Sequence, residues 1–344
     1  KRSGEPYTRR ERRLLLSAVR QLQATERALN EKKQQAIDAH QKPSLNLLRE
    51  CPRCGACYGS ETVRCPADGA VPVVTLPIEP LIEGKYKLER LLGRGGMGAV
   101  YAGRDLRLNR RIAIKVMLSE LFGHQGALRR FEREAQAAAR LNHPNVVQIY
   151  DYGPIGAMGA FLVMEHIDGR SWREELSSFA GPIPAATCLP WIEQLLDGIQ
   201  AAHIAGIVHR DLKPENLLLA QIDSRLQVKI LDFGLAKMQL LNFSREEKLS
   251  LGITTIGTVG YVPPEQLSGS EADERSDIYA LGRIIIETLT GELPEEGVTG
   301  VPAPVADVLA RCVAHRKDDR YGCVADLRSE LLPALAACDS AFQI

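Results

Sequence analysis

The chain has 344 residues, of which 45% are hydrophobic and 25% charged, and its 43 basic side chains balance its 43 acidic ones. That length supports two or three modest domains with a sizeable core, and the balanced charge supplies no global field for a polyanion, so no nucleic-acid partner is expected. No apolar run approaches the ~18 residues of a membrane helix and no secretory signal is visible, so a cytoplasmic protein without a membrane span is expected.

Residues 8–42 read as one helix, rich in Arg, Gln, Glu, Ala and Leu and free of Gly and Pro. Leu15, Leu22, Leu29 and Ala36 recur at seven-residue spacing, but Glu26 and Lys33 occupy companion positions, which argues against a sustained coiled coil. Arg9, Arg10, Arg12 and Arg13 make the start basic. Residues 1–50 therefore read as a basic helix, either a solvated linker helix docked by one side or a surface for self-association or membrane contact.

The eight cysteines fall into two groups. Cys188, Cys312, Cys323 and Cys338 are scattered through helical stretches and read as reduced thiols, which suits a reducing compartment. Cys51, Cys54, Cys57 and Cys65 cluster in a module over 51–70, where Cys51-Pro52-Arg53-Cys54-Gly55 is followed by Cys65-Pro66-Ala67-Asp68-Gly69. The module resembles a zinc ribbon whose last ligand is a carboxylate. Asp can ligate zinc, so Cys51, Cys54, Cys65 and Asp68 form a candidate tetrahedral Zn2+ set, with Cys57 as an alternative fourth ligand. A metal-free knuckle and a disulfide are the competing readings. Residues 71–85, Val- and Pro-rich at their start, read as an extended linker.

From Tyr86 to about residue 335 the pattern is continuous and globular, and 336–344 read as a tail. Alternating runs predict strands over 86–92, 98–104, 111–117, 146–152 and 160–166, with one helix over 126–141. After residue 169 helices dominate, as over 189–205, 275–290 and 304–314. Strands first and helices after imply an α+β body of two lobes, 86–168 and 169–335, with a cleft between them.

Three motifs carry chemistry. Gly93-Arg94-Gly95-Gly96-Met97-Gly98-Ala99-Val100 is a glycine loop whose backbone amides can approach phosphate oxygens. Strand-like flanks on both sides make it a hairpin rather than the strand-to-helix turn of a dinucleotide fold. His209-Arg210-Asp211-Leu212-Lys213-Pro214-Glu215-Asn216 sets three useful groups at short offsets: a carboxylate to accept a proton, an ammonium to bridge anionic oxygens and an amide oxygen to hold a metal. Asp232-Phe233-Gly234 offers a second metal carboxylate. Lys115, in Ile112-Ala113-Ile114-Lys115, is a lysine on a buried strand and needs a partner.

Together, over residues 86–335, these motifs resemble the catalytic domain of bacterial, eukaryotic-like serine/threonine protein kinases. The resemblance implies the bilobal kinase fold, with a small antiparallel β lobe bearing one main helix and a large, mostly helical lobe. It also implies transfer of the γ-phosphoryl group of Mg-ATP to Ser/Thr hydroxyls of protein substrates. Leu92, Gly93, Gly95 and Gly98 would cover the nucleotide, with Val100, Ala113 and Leu218 around the adenine. Met164, Glu165 and His166 would form the hinge, using backbone groups of Glu165 and His166. Lys115 would pair with Glu134, with Glu132 as the competitor. Asp211 would be the catalytic base, Lys213 would steady the transferring group, and Asn216 and Asp232 would hold Mg2+. The activation segment would be autophosphorylated on Thr254 or Thr255, then Ser250, while Thr258 would bond Asp211 and Lys213. Glu265 would pair with Arg320, and Asp277 would anchor the catalytic loop. The chain departs from the family after Gly291, where the substrate-docking segment is short. A nucleotide-binding pseudokinase scaffold and a small-molecule kinase are the alternatives.

Overall fold

The computed structural model describes residues 46–95, 98–118, 126–156, 159–179, 181–233, 259–293 and 297–340. Of the basic helix expected over 1–50, residues 1–45 lie outside the described residues, and Arg49–Glu50 form a strand instead of helix. The chain divides into two compact units; among the described residues the first holds 46–118 and 153–161, and the second holds 126–152, 162–233 and 259–340.

In the first unit, β1 (Arg49–Glu50), β2 (Cys57–Tyr58) and β3 (Val73–Val74) make a small antiparallel sheet in the order β2-β1-β3. Four further strands follow: β4 (Leu81–Ile82), β5 (Tyr86–Gly95), β6 (Gly98–Asp105) and β7 (Arg110–Leu118). With β8 (Ile149–Pro154) and β9 (Gly159–Glu165) they form a six-stranded sheet ordered β4-β5-β6-β7-β9-β8. Period-two alternation explains the strands. Tyr101 on β6 and Ile112, Ile114 and Val116 on β7 are almost fully buried. The β6–β7 turn forms where the Asp105 carboxylate accepts the Arg107 and Leu108 amides at 3.0 and 3.1 Å.

The stretch expected to be a linker, 71–85, is folded. Val73 and Val74 pair with β1, and Leu81 and Ile82 pair with β5. Between them Leu76 and Ile78 are each 1% exposed, and the Leu48 amide donates to the Ile78 carbonyl at 2.7 Å. Extended backbone was legible there; its burial was not, because Val and Pro suit a linker and a packed edge equally well.

In the second unit, α1 (Ala127–Ala139) buries Phe131, Ala135 and Ala138, with Phe131 edge-on to Tyr152 at 6.3 Å. A sheet that the sequence reading missed orders β10 (Gly169–Ser171), β11 (Leu217–Ile222) and β12 (Arg225–Ile230) as β10-β11-β12. Asp223 and Ser224 turn its hairpin with φ of 47° and 62°, the sense that a two-residue hairpin turn demands. The remaining elements are α2 (Trp172–Phe179), α3 (Ala185–Ile204), α4 (Pro264–Leu267), α5 (Glu274–Thr290), α6 (Ala303–Cys312) and α7 (Val324–Ser340). Their core joins Ile192, Leu195, Ile199, Ile278, Leu281, Ile285, Leu309 and Leu331, all fully buried. α3 starts at Ala185, before the expected Leu189, and carries Pro190 inside it. α7 runs to Ser340, so helix continues into the expected tail. α5 is capped by the Asp273 side chain at the Arg275 amide and ends at Gly291, with φ 76°. A Cβ there would lie 2.5 Å from the Gly181 backbone.

Candidate active site and metal centre

The Asp211 loop is assembled from its backbone outward. Asp277, 1% exposed on α5, accepts the His209 and Arg210 amides, each at 2.8 Å, and lies 2.8 Å from His203 Nε2. Two neighbouring amides on one carboxylate fix the loop's direction. They also hold Arg210 in the left-handed region at φ 64°, a conformation that costs a non-glycine residue about 1–3 kcal/mol and persists only when its surroundings over-determine it. Burial pushes the His209 ring below its ordinary pKa. Its Nε2 lies 2.7 Å from the Leu231 carbonyl, and the ring packs on Phe233 at 4.8 Å between centroids. The Leu231 amide donates in turn to the Asn216 carbonyl at 2.8 Å. Asp232 therefore follows a residue tied to the Asp211 loop from both sides, and it too has a positive φ, 53°.

Within the loop, Lys213 Nζ lies 3.4 Å from Asp211 Oδ2. Asn216 Nδ2 donates to the Asp211 carbonyl at 2.8 Å and reaches its Oδ2 at 3.3 Å. The side-chain nitrogen is thus committed to Asp211, which leaves the Asn216 side-chain oxygen Oδ1, a ligand suited to a hard cation, on the other side of the amide. An amide oxygen and a carboxylate such as that of Asp232 are donors of the kind a hard cation takes.

In the first unit the register places Gly93, Val100 and Lys115 side by side on β5, β6 and β7, with Ala102 opposite Ala113. Directly paired residues share a face, so Val100, Ala113 and Lys115 line one side of the sheet, while Tyr101, Ile112 and Ile114 belong to the other. Leu92 sits at a register shift between β5 and β6 and is 46% exposed. Among the described loop glycines, Gly98 alone is sterically required by the protein itself. Gly98 has φ 141°, and a Cβ on it would fall 1.9 Å from the Val116 carbonyl oxygen, whereas one on Gly93 or Gly95 would meet nothing within 4 Å. Gly98→Ala is accordingly expected to lower stability by at least about 1–3 kcal/mol, read as a drop in denaturant midpoint, with Gly95→Ala near neutral in the same assay.

The expected hinge residues lie at the end of β9. Met164 is buried at 5% exposure, and the Glu165 amide donates to the Gln148 carbonyl at 2.9 Å. That amide belongs to the sheet, so the expectation narrows to the Glu165 carbonyl and the backbone beyond it. Leu218 on β11 alternates with fully buried Leu217 and with Leu219, so it presents to the opposite face. Glu134 is half-buried on α1, in the second unit, as is Glu132.

The protein kinase domain model matches residues 86–321. The chain belongs to the protein kinase family. Among curated relatives it is 35% identical to the serine/threonine-protein kinase Pkn1 of Myxococcus xanthus over 86% of this chain and 46% of the relative. It is 39% identical to pkn2 of the same organism, over 64% of this chain and 26% of the relative. It is 34% identical to PrkC of Bacillus subtilis (strain 168), over 74% and 41% respectively. The chain thus spans less than half the length of these relatives. Among solved structures, the kinase domain of Mycobacterium tuberculosis PknI, as a C20A_R136N double mutant, matches with a TM-score of 0.60 at 25% identity, over 74% of this chain and 96% of that one.

The kinase domain contains polar contacts that no sequence motif announced. Lys229 Nζ is held by both Glu165 carboxylate oxygens, at 2.9 and 3.1 Å, which ties β12 to the end of β9. Arg173 on α2 bonds Glu215 of the Asp211 loop at 2.8 Å and Glu287 of α5 at 2.6 Å, and Tyr261 joins both Arg173 and Glu287. The expected partners Glu265 and Arg320 do meet, at 2.8 and 2.9 Å. α5 ends at Thr290 and α6 begins at Ala303. Thr254, Thr255, Ser250 and Thr258 lie outside the described residues.

The knuckle lies outside the kinase match. Its two turns repeat one geometry. The Cys51 amide donates to the Ala56 carbonyl and the Gly55 amide to the Cys51 carbonyl; the Cys65 amide donates to the Ala70 carbonyl and the Gly69 amide to the Cys65 carbonyl. Gly55 and Gly69 both close their turns with positive φ, 72° and 73°. This brings one ligand atom each of Cys51, Cys54, Cys65 and Asp68 within 4.8 Å of one another. The Cys51 thiol reaches the Asp68 carboxylate at 3.2 Å, and the Cys54 and Cys65 sulfurs lie 3.6 Å apart. The Ala70 amide and the Cys51 thiol hold the Asp68 carboxyl down to about 2. Three sulfurs and a carboxylate fit a tetrahedral zinc. Cys57 is not in this group: its thiol is buried against the Gly55 carbonyl, and burial pushes it up to about 12.

Proposed function

We propose that the chain is an active serine/threonine protein kinase, transferring the γ-phosphoryl group of Mg-ATP to protein hydroxyls and switched by autophosphorylation. The observation that carries this reading is the Asp211 carboxylate bracketed by Lys213 Nζ and Asn216 Nδ2 on a loop anchored by Asp277. Asp211 orients the substrate hydroxyl and accepts its proton. Lys213, released from Asp211 as the phosphoryl group arrives, steadies its oxygens. Asn216 and Asp232 hold Mg2+, which supplies charge neutralisation for the phosphate chain. Lys115, partnered by Glu134, bridges the α- and β-phosphates under Gly93, Gly95 and Gly98, and Val100, Ala113, Leu218 and the backbone after Met164 enclose the adenine. A phosphate on Thr254, Thr255 or Ser250 pairs with Arg210 and switches the kinase on. Cys51, Cys54, Cys65 and Asp68 hold a structural zinc, and the protein acts in the cytoplasm, self-associating during autophosphorylation.

The test is incubation of the purified chain with γ-labelled ATP and Mg2+, followed by phosphosite mapping. Label on Thr254 or Thr255 that fails to form when Mg2+ is chelated beforehand is the expected result. No label on the chain or on a generic protein substrate overturns the reading.

A further inference from the structure

The knuckle is docked on the strand that carries the glycine loop. The Leu91 amide of β5 donates to the Gly55 carbonyl at 2.8 Å, and Ala56 forms a bridge with Arg90. Gly55 must be glycine here, since its φ is positive and a Cβ would come 3.2 Å from the Leu91 carbonyl oxygen. The second contact is electrostatic. Glu50, 4% exposed on β1, accepts Arg94 Nη2 at 2.6 and 2.8 Å and the Tyr101 hydroxyl at 2.6 Å, and Arg94 also reaches Thr75 at 3.0 Å.

Arg94 lies between Gly93 and Gly95, so the first arm of the loop is tied by its one long side chain to a carboxylate in the knuckle. The register puts Arg94 opposite Ala99 and Leu91 opposite Tyr101. That is the face away from Val100 and Lys115. A buried carboxylate is stable only with its partners in place, so Glu50 and the loop arm constrain each other without touching a nucleotide. The residues making these contacts sit beside metal ligands: Glu50 precedes Cys51, and Gly55 follows Cys54. The knuckle's strands are two residues long, too little for a self-sufficient core.

We infer that the knuckle is a clamp on the glycine loop, and that zinc at Cys51, Cys54, Cys65 and Asp68 sets nucleotide affinity by fixing Glu50 and Gly55 against β5. Glu50 and Arg94 are positioning residues, acting through the loop. The inference rests on the kinase reading of the loop, and the experiment separates the two. The full chain is assayed for zinc content and for affinity towards a fluorescent MgADP analogue, as purified, after chelation with Mg2+ restored, and after zinc is returned. Zinc near one equivalent is expected, with removal weakening MgADP binding about tenfold, an ordinary coupling between sites, and return restoring it. Arg94→Ala should weaken MgADP binding to a similar extent, raise the KM for ATP, and leave kcat at saturating ATP and the zinc content unchanged. Stripping zinc from Arg94→Ala should then add little, because both changes release the same clamp. Unchanged MgADP affinity after stripping, or effects of stripping and Arg94→Ala that simply add, overturns the clamp while leaving the zinc site standing. Zinc below a tenth of an equivalent in the purified chain overturns the metal control. Zinc-loaded protein that binds no MgADP overturns the kinase reading and the clamp with it.

Discussion

Asp211→Asn is expected to lower kcat by about a hundredfold to ten-thousandfold, the usual contribution of a positioned general base, with MgADP affinity and unfolding midpoint near those of the wild type. The substitution keeps the shape and an acceptor oxygen for the Asn216 amide, 3.3 Å away, but removes the proton acceptor and the charge that faces Lys213 Nζ at 3.4 Å. The loop itself should hold, because the bonds that fix it run from the His209 and Arg210 amides to Asp277, and from the Leu231 amide to the Asn216 backbone carbonyl. Initial rates with labelled ATP, beside a MgADP titration on the same samples, test this. A variant as fast as wild type would remove Asp211 from the mechanism, and one that is slow only because it is unfolded would show in the midpoint.

What could be read in advance divides by how local its cause is. β5 to β9, α1 and α5 lie within a few residues of their expected bounds because alternation and helical spacing are properties of one segment. β11 escaped notice because Leu217-Leu218-Leu219-Ala220-Gln221-Ile222 has no clear period and is a strand only through its partners β10 and β12. The site divides the same way. Asp211, Lys213 and Asn216 share one short loop, so their spacing alone announces joint chemistry. Glu165 with Lys229, Arg173 with Glu215 and Glu287, and Glu50 with Arg94 are separated by 64, 42, 114 and 44 positions. Nothing in a charged residue's neighbours names so distant a partner. For the fourth metal ligand, the spacing put Asp68 first with Cys57 as the alternative, and the backbone geometry keeps that order: the Asp68 carboxylate lies beside the Cys51 thiol, whereas the Cys57 thiol faces the Gly55 carbonyl.

Glu265→Ala should cost about 3–5 kcal/mol of folding stability, because it leaves a buried guanidinium without its counter-charge. The Arg320 side chain is 0% exposed. It gives two parallel bonds to Glu265 and others to the Ala314 carbonyl at 2.8 Å, the Arg275 carbonyl at 3.1 Å and the His315 carbonyl at 3.2 Å. Those carbonyls keep the cation in place after the substitution but do not neutralise it. The pH dependence has a definite sign. Burial acts to raise the Glu265 pKa, but the bonds from Arg320 and from Ser276 at 2.7 Å outweigh it, so the folded value lies below the ordinary 4.5. The unfolded chain then binds the proton first as pH falls. The stability this group supplies is complete above its unfolded pKa and is lost on acidification through its folded one. Wild type should therefore lose stability below about pH 4.5 more steeply than Glu265→Gln, which has no proton to take up there, in urea titrations across pH 3 to 6. Activity should fall with stability for a local reason as well. Glu265 sits in the first turn of α4, and its neighbour Gln266 donates to the Arg210 carbonyl at 3.3 Å, so loosening the ion pair also loosens the residue that precedes Asp211. A Glu265→Ala protein with an unchanged denaturant midpoint would show that Arg320 is stabilised by its carbonyl partners alone.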